Sequence, residues 1–245
     1  MSLLLLHGGV PMAILATARR TWLVRVLALA AASLAVVAVS ATVPTPASAH
    51  GNIIDMPSRN FGCWQRWGNN FQNPAMATQD PMCYQAWQAN PNTMWSWMSL
   101  YRNGMGGNFQ GAVPNGKLCS INGAEGGLGN SLDAVGNWQA KSVGRNFTLT
   151  LHDQASHGAD FVRVYVSKSG FNPTTQALGW GDLDLVTTVG RTPAAQWQRA
   201  TSPTGGVQLK INATANHSGR AVVFTIWQAS HMDQAYFFCS DVNIS

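Results

Sequence analysis

Short runs of β-branched and aromatic residues follow one another through the carboxy-terminal half of the sequence, separated by turn residues. The runs are FTLTLHD, FVRVYVSK, DLVTTV, GVQLKINAT, AVVFTIWQ and YFFCSDVNI. In the second run apolar and more polar positions alternate: Val162, Val164 and Val166 against Arg163, Tyr165 and Ser167. A period of two predicts strands with one buried face, and repeated short strands predict an all-β sandwich.

The segment from Pro57 to about Asn130 has a different pattern, with many Gly, Asn, Pro and Trp residues and little sustained period. Gln85 to Leu100 predicts one or two short helices, with Pro91 as a break between them. We therefore expect a helical and loop insertion at one end of the sandwich. No internal repeat or low-complexity linker indicates a second domain.

Residues 1–49 stand apart, because an uncharged run rich in Ala, Val and Leu extends from Val26 to Val43. Three arginines precede this run: Arg19, Arg20 and Arg25. The small-residue sequence Ala47-Ser48-Ala49 follows it. These features are typical of a secretory signal peptide. We predict that residues 1–49 are cleaved and that residues 50–245 form one secreted, extracellular domain beginning at His50.

Two alternatives remain for this leader. Its apolar run of eighteen residues is also long enough for a membrane anchor, although the Ala-x-Ala sequence favours cleavage and no membrane attachment afterwards. Arg19-Arg20 resembles a twin-arginine export signal, so the export route stays open.

Charge gives no support to a nucleic-acid partner. Three of the fifteen basic residues precede position 50, which leaves twelve against ten acids and a side-chain charge of +2. No basic run interleaved with aromatic residues is present. Abundant Trp, Asn, Gln and Gly instead suit a surface that stacks on and hydrogen-bonds to a neutral partner.

All four cysteines follow position 49: Cys63, Cys83, Cys119 and Cys239. An even number in an exported protein predicts two disulfides. Of the three pairings we favour Cys63–Cys83, which closes a local loop, together with Cys119–Cys239, which ties the end of the chain to its middle.

Common hydrolase signatures are missing from the sequence: no G-x-S-x-G, no H-E-x-x-H and no phosphate-binding glycine loop. A glycosidase needs two carboxylates across a cleft, but Asp153 and Asp160 are better placed to cap turns beside their strands.

His50 is distinctive because cleavage would make it the first residue. A free α-amino group has a pKa of about 7.7–8.0, so it can give up its proton to a metal near neutral pH. Its nitrogen and the imidazole Nδ1 of the same residue then form a chelate, and one further imidazole makes three nitrogen donors. Such a set suits copper.

Four blocks, in order along residues 50–245, are similar to bacterial lytic polysaccharide monooxygenases of auxiliary activity family ten, formerly carbohydrate-binding module family 33. They are HGNIIDMPSRNFGCW, VPNGKLCS, SHGADFVRVYVSKSGFNPTTQALGWGDLDLV and YFFCSDVNI. The resemblance implies a fibronectin III or immunoglobulin-like β-sandwich, with the insertion between its first strands. It also implies a flat binding face and one copper ion per chain in a histidine brace.

Residue by residue, the resemblance makes His50 and His157 the copper ligands and places Ala155 at one axial side. Tyr236 stands where the family usually has Phe, at the other axial side, so its phenol either approaches the metal, carries a radical or only packs. Gln234 matches a family position near the oxygen site. The other histidines match no ligand position and are expected to be structural or on the surface, His217 and His231 among them.

The implied reaction is oxidative cleavage of glycosidic bonds in a crystalline polysaccharide by a monomeric enzyme. It uses an external electron donor and either hydrogen peroxide or dioxygen. Trp95 aligns with an aromatic residue of the binding face. Gln154 replaces a Trp that cellulose-active relatives often carry, and together with the amino-terminal block this favours chitin. The resemblance separately implies oxidation at C1. Cellulose remains the alternative substrate, and a non-catalytic chitin-binding protein the alternative function.

Overall fold

The computed structural model describes residues 50–245, apart from the side chain of Glu125. The predicted signal peptide and its membrane-anchor alternative lie outside these residues. Within them ten strands form two sheets: β1 Gly51–Asp55, β2 Tyr101–Asn103, β3 Lys141–Val143, β4 Asn146–Asp153, β5 Ala159–Ser167, β6 Leu183–Val189, β7 Gln198–Arg199, β8 Val207–Thr214, β9 Gly219–Ala229 and β10 Gln234–Ile244. The predicted immunoglobulin-like β-sandwich is confirmed.

The smaller sheet has the order β1-β4-β8-β7, and the larger sheet has the order β2-β10-β9-β5-β6, with β3 parallel to β10. Six short helices lie in the insertion: α1 Arg59–Trp67, α2 Met76–Gln79, α3 Pro81–Ala89, α4 Asn92–Trp95, α5 Phe109–Ala112 and α6 Ala124–Gly127. Three 3₁₀ turns add to them: Asn130–Asp133, Trp180–Asp182 and Ala194–Gln196. None of the helices in residues 50–245 is long and apolar enough to cross a membrane.

Two apolar cores lie on opposite faces of the larger sheet. Between the sheets, side chains such as Leu151 of β4 and Val164 of β5 pack together. On the outer face, residues of the insertion pack against alternate side chains of β9 and β10, such as Phe224 and Phe237. The insertion therefore covers a sheet face and is not confined to one end of the sandwich, because β10 is apolar on both faces.

Local sequence explains where the longer helices begin. The Ser58 side chain accepts a hydrogen bond from the Phe61 N–H at the start of α1, and Asp80 caps α3 in the same way, with Pro81 following. Side-chain oxygens at these positions satisfy amide groups that the first helical turn leaves unpaired.

Two disulfides fasten the insertion. Cys63–Cys83 joins α1 to α3, and Cys119–Cys239 joins the insertion to β10. This is the pairing favoured from the sequence.

Candidate metal centre

His50 is held in place by the strand that begins directly after it. In the antiparallel pair of β1 and β4, Gly51 lies opposite Asp153, and the Gln154 N–H donates to the His50 carbonyl at 2.8 Å. On the other side the Gly51 N–H donates to the Met98 carbonyl at 3.1 Å. The residue predicted to begin the mature chain is therefore fixed beside the end of β4.

Gly51 lets this strand approach its neighbours closely. A Cβ at this position would lie 2.3 Å from the His152 carbonyl oxygen and 2.7 Å from the Trp227 ring. Only glycine fits such a distance without displacing backbone.

The turn after β4 carries His157. Asp153 is buried, and its Oδ2 accepts hydrogen bonds from the N–H groups of His157 at 2.6 Å and Gly158 at 2.9 Å. Asp153 thus caps the turn, as expected from the sequence. Burial raises the pKa of its carboxyl, and the backbone N–H donors oppose that change. Ser156 completes the turn with a φ of +58°.

The His157 ring is oriented toward the same carboxyl group. Its Nδ1 lies 3.7 Å from Asp153 Oδ1, beyond hydrogen-bonding distance, and both atoms are buried with no hydrogen-bond partner. The pKa of His157 is lowered, first by burial and then by the charge of the nearby His50 ring. Lowering the pKa favours the neutral imidazole, which is the form that binds a metal.

The turn between β9 and β10 packs against the other side of His157. Ser230 Oγ donates to the His157 carbonyl at 2.5 Å. The rings of His157 and His231 lie 3.8 Å apart between centroids, with 37° between their planes. Sequence reasoning gave His231 only a structural or surface role. One feature of the sequence could have indicated more: His231 lies in the short turn between two long apolar runs that form a hairpin.

Tyr236 and Gln234 lie on the inner face of β10 and are almost completely buried. The Tyr236 hydroxyl donates to Gln234 Oε1 at 3.1 Å, and its ring stacks on Trp227 with centroids 4.6 Å apart. Trp227 in turn donates from Nε1 to the Gly158 carbonyl at 3.0 Å. One indole thus connects Tyr236 to the turn that carries His157. Phe237 faces the outer core, so strand alternation excludes it from this position.

Two more predicted residues lie on the surface. Ala155 is exposed in the turn before His157. Trp95 is 41% exposed at the end of α4, and its ring packs edge-on against Phe71 with centroids 5.4 Å apart. The loop that follows Trp95 contains Met98, which is hydrogen-bonded to Gly51.

The donors that the structure brings together are the two imidazoles of His50 and His157. Among residues 50–245, no three His, Cys, Asp or Glu side chains form a group able to hold a metal. A histidine brace is a different kind of site, since its third donor is an amino nitrogen. The partnerless Nδ1 facing Asp153 leaves the Nε2 of His157 to bind a metal, so these residues fit the brace.

A family model described as lytic polysaccharide mono-oxygenase, cellulose-degrading, matches residues 50–242. The chain belongs to the lytic polysaccharide monooxygenase family. The match begins at His50, the residue predicted to be the mature amino terminus.

Two curated relatives have different descriptions. A lytic cellulose monooxygenase of Streptomyces ambofaciens is 30% identical over 207 residues, which are 80% of this chain and 53% of the relative. The chitin-binding protein CbpD of Pseudomonas aeruginosa is 26% identical over 208 residues, or 82% of this chain and 49% of the relative. The chain spans about half the length of the curated relatives it matches.

Solved structures agree with the fold. LPMO10B from Micromonospora aurantiaca is 56% identical, with a TM-score of 0.77 over 79% of this chain and 99% of that chain. The cellulose-active monooxygenase CelS2, solved in complex with copper, is 26% identical, with a TM-score of 0.68 over 79% of this chain and 98% of its own.

Proposed function

We propose that the secreted chain begins at His50, binds one copper ion and oxidatively cleaves glycosidic bonds at the surface of a crystalline polysaccharide. The observation that carries this proposal is the register of β1 on β4. It places His50 beside the turn that carries His157, whose pKa is lowered first by burial and then by the nearby His50. The family match, which starts at the same residue, supports it.

The copper ligands in this proposal are the amino nitrogen and Nδ1 of His50 together with Nε2 of His157. Copper bound there supplies the one-electron chemistry that an external donor and peroxide or dioxygen require. Asp153 holds the turn of His157 through two backbone N–H groups. Ala155, exposed in the same turn, would crowd one axial side of the metal with its methyl group.

Tyr236 and Gln234 have a different part in the proposed site. Their hydrogen bond uses the phenol hydroxyl inside the sandwich, and this supports packing as the main role of Tyr236. Gln234 is also tied to Asn103, whose Oδ1 accepts from Gln234 Nε2 at 3.0 Å. Such a network limits the motion of both side chains below the site.

Chitin, oxidised at C1, is the substrate that the sequence favours. Gln154 is exposed next to His50 and offers a polar amide where a flat aromatic would favour stacking alone. The exposed ring of Trp95 is available to stack on a sugar. Both features suit a flat surface that receives a chain without enclosing it.

Cellulose is the second candidate, and two of the comparisons support it. The matching family model is described as cellulose-degrading, and the relative with 30% identity is a lytic cellulose monooxygenase. The two substrates share a β-1,4-linked backbone and differ at the sugar C2 substituent, so the same site chemistry serves both.

Product analysis distinguishes the candidates. Copper-loaded protein beginning at His50 is incubated with β-chitin or with crystalline cellulose and ascorbate, and soluble products are identified by mass spectrometry. Aldonic-acid oligosaccharides from chitin support the first candidate, and oxidised cello-oligosaccharides support the second. The His157→Ala variant is the matched control. Binding to chitin without oxidised products from either substrate would leave only a chitin-binding protein.

The role of the amino terminus is tested separately. Mass spectrometry of the secreted protein should find His50 as the first residue. A form that retains Ala49 cannot make the same chelate, because its His50 nitrogen is an amide, so we expect it to bind Cu(II) more weakly. Equal affinity of the two forms would exclude the brace.

A further inference from the structure

The His157 ring is restrained by contacts of two kinds. One is the Asp153 carboxyl, whose Oδ1 lies 3.7 Å from Nδ1 and makes no hydrogen bond to it. The other is the His231 ring, packed at 3.8 Å between centroids. Ser230 holds the His157 backbone, not its ring, through the carbonyl oxygen. Of these two contacts, only the one with His231 is between rings, with the two planes inclined by 37°.

The turn that presents His231 is itself anchored. Ala229 of β9 pairs with Gln234 of β10, so only residues 230–233 form the turn. At the end of the turn, Asp233 accepts two backbone hydrogen bonds. The Gly104 N–H donates to its carbonyl oxygen at 2.9 Å. The Gly106 N–H donates to its Oδ2 at 2.7 Å. A short turn tied on both sides presents its imidazole in a fixed position.

We propose that His231 is a positioning residue that sets the plane of the His157 imidazole by stacking on it. The inference rests on the proposed copper site and adds a residue to it. The plane of a ligating imidazole sets the direction of its lone pair, and a metal site requires that direction within roughly 10–20°. Neighbours that orient a ligand in this way typically contribute 10- to 100-fold in metal affinity.

Three variants test the stacking role. His231→Ala removes the ring, His231→Phe keeps an aromatic face without nitrogen, and Met232→Ala changes the exposed neighbour in the same turn. Cu(II) affinity is measured by calorimetry, and ligand geometry by the hyperfine splitting in electron paramagnetic resonance spectra. We expect His231→Ala to bind Cu(II) about 10- to 100-fold more weakly, with an altered spectrum. His231→Phe should restore both properties, and Met232→Ala should match the wild type.

An unchanged spectrum and affinity in His231→Ala would overturn the inference, and so would a His231→Phe variant as impaired as His231→Ala. Crystal structures of the metal-free proteins provide a readout that does not depend on copper. We expect the His157 ring to rotate in His231→Ala and to keep its plane in His231→Phe. If the wild type itself binds no Cu(II), the proposed function fails, while the ring orientations still decide the role of His231.

Discussion

At the residue scale, Gly51 and His152 occupy positions where a neighbouring group leaves little choice of side chain. A Cβ atom added at Gly51 would lie only 2.3 Å from the His152 carbonyl oxygen. His152 is fully buried in β4, with its Nε2 3.0 Å from Thr204 Oγ1. Neither residue is a proposed metal ligand, but both lie in the paired strands β1 and β4 that position the candidate site.

Gly51→Ala should destabilise the protein by about 1–3 kcal/mol, the usual range for overpacking a filled interior. The added methyl group must displace β1 from β4, because the atom it meets is backbone. Urea denaturation measures the loss. The substitution Gly144→Ala is the control, since its Cβ would meet nothing closer than 3.6 Å, and a Gly51→Ala protein as stable as this control would contradict the close approach.

His152 should make stability depend on pH. Burial lowers the pKa of His152 from its ordinary value of 6.5 to about 4. Between these values the unfolded chain binds a proton that the folded chain does not, so stability falls as the pH is lowered from 6.5 toward 4. The loss at pH 4 is on the order of 3 kcal/mol. Denaturation midpoints at several pH values measure it.

His152→Gln is the matched variant for this prediction. It cannot gain the proton, so its stability should change less between pH 6.5 and 4 than that of the wild type. Asp133 and Asp153, whose pKa values burial raises, act in the opposite direction in both proteins and cancel in the comparison. Identical pH profiles would show that His152 is not held neutral by the fold.

At the element scale, α1 is one of the helices that sequence patterning missed, and it ties the insertion to the sandwich. Its buried positions include Arg59 and Asn60 as well as Phe61, so no apolar stripe reveals it. Arg59 Nε lies 2.8 Å from Asp241 Oδ2 of β10, and Arg220 of β9 contacts the other carboxylate oxygen at 3.2 Å. The partner that makes a buried arginine favourable thus lies 182 residues away in the chain.

Asp241→Asn should destabilise the protein by about 3–5 kcal/mol, because it leaves the Arg59 charge buried without a counter-charge. The control is Asp55→Asn, which removes the ion pair with Lys141 on the surface, where both side chains are about half exposed. Exposed pairs contribute about 0–1 kcal/mol. Urea denaturation measures the free energy of unfolding of both variants. Similar losses of stability would contradict the role assigned to burial.

At the scale of the whole molecule, the sandwich brings the insertion and the two histidine-bearing segments to one region. The hydrogen bond from Gly51 to Met98 links the beginning of β1 to the loop after Trp95. The ring of Trp95 contacts Phe71, so we expect its substitution to affect substrate binding separately from metal binding.

Trp95→Ala should weaken binding to the crystalline substrate by about 10-fold, the equivalent of one lost stacking contact, and leave Cu(II) affinity unchanged. Leu185→Ala is the control, since Leu185 is 53% exposed on β6. Depletion assays on chitin and cellulose measure binding. Unaltered binding by Trp95→Ala to both polysaccharides would remove Trp95 from the binding face.

The sequence by itself determined the features that depend on neighbouring residues. Period-two runs predicted β4, β5, β6, β8, β9 and β10, and Pro91 lies between α3 and α4 as expected. The position of His50 after Ala-Ser-Ala predicted a chelating first residue, since that chelate needs only one residue and one cleavage. The family blocks predicted His157, because its spacing within the block is local.

Only the tertiary structure decided what lies around these residues. His231 stacks on His157 although 74 positions separate them in the sequence, because the β9–β10 turn meets the turn after β4. Burial, and then the nearby His50, lower the pKa of the His157 imidazole. Pairing register and burial arise from contacts between distant segments, and a pattern along the chain carries no record of the distance between them.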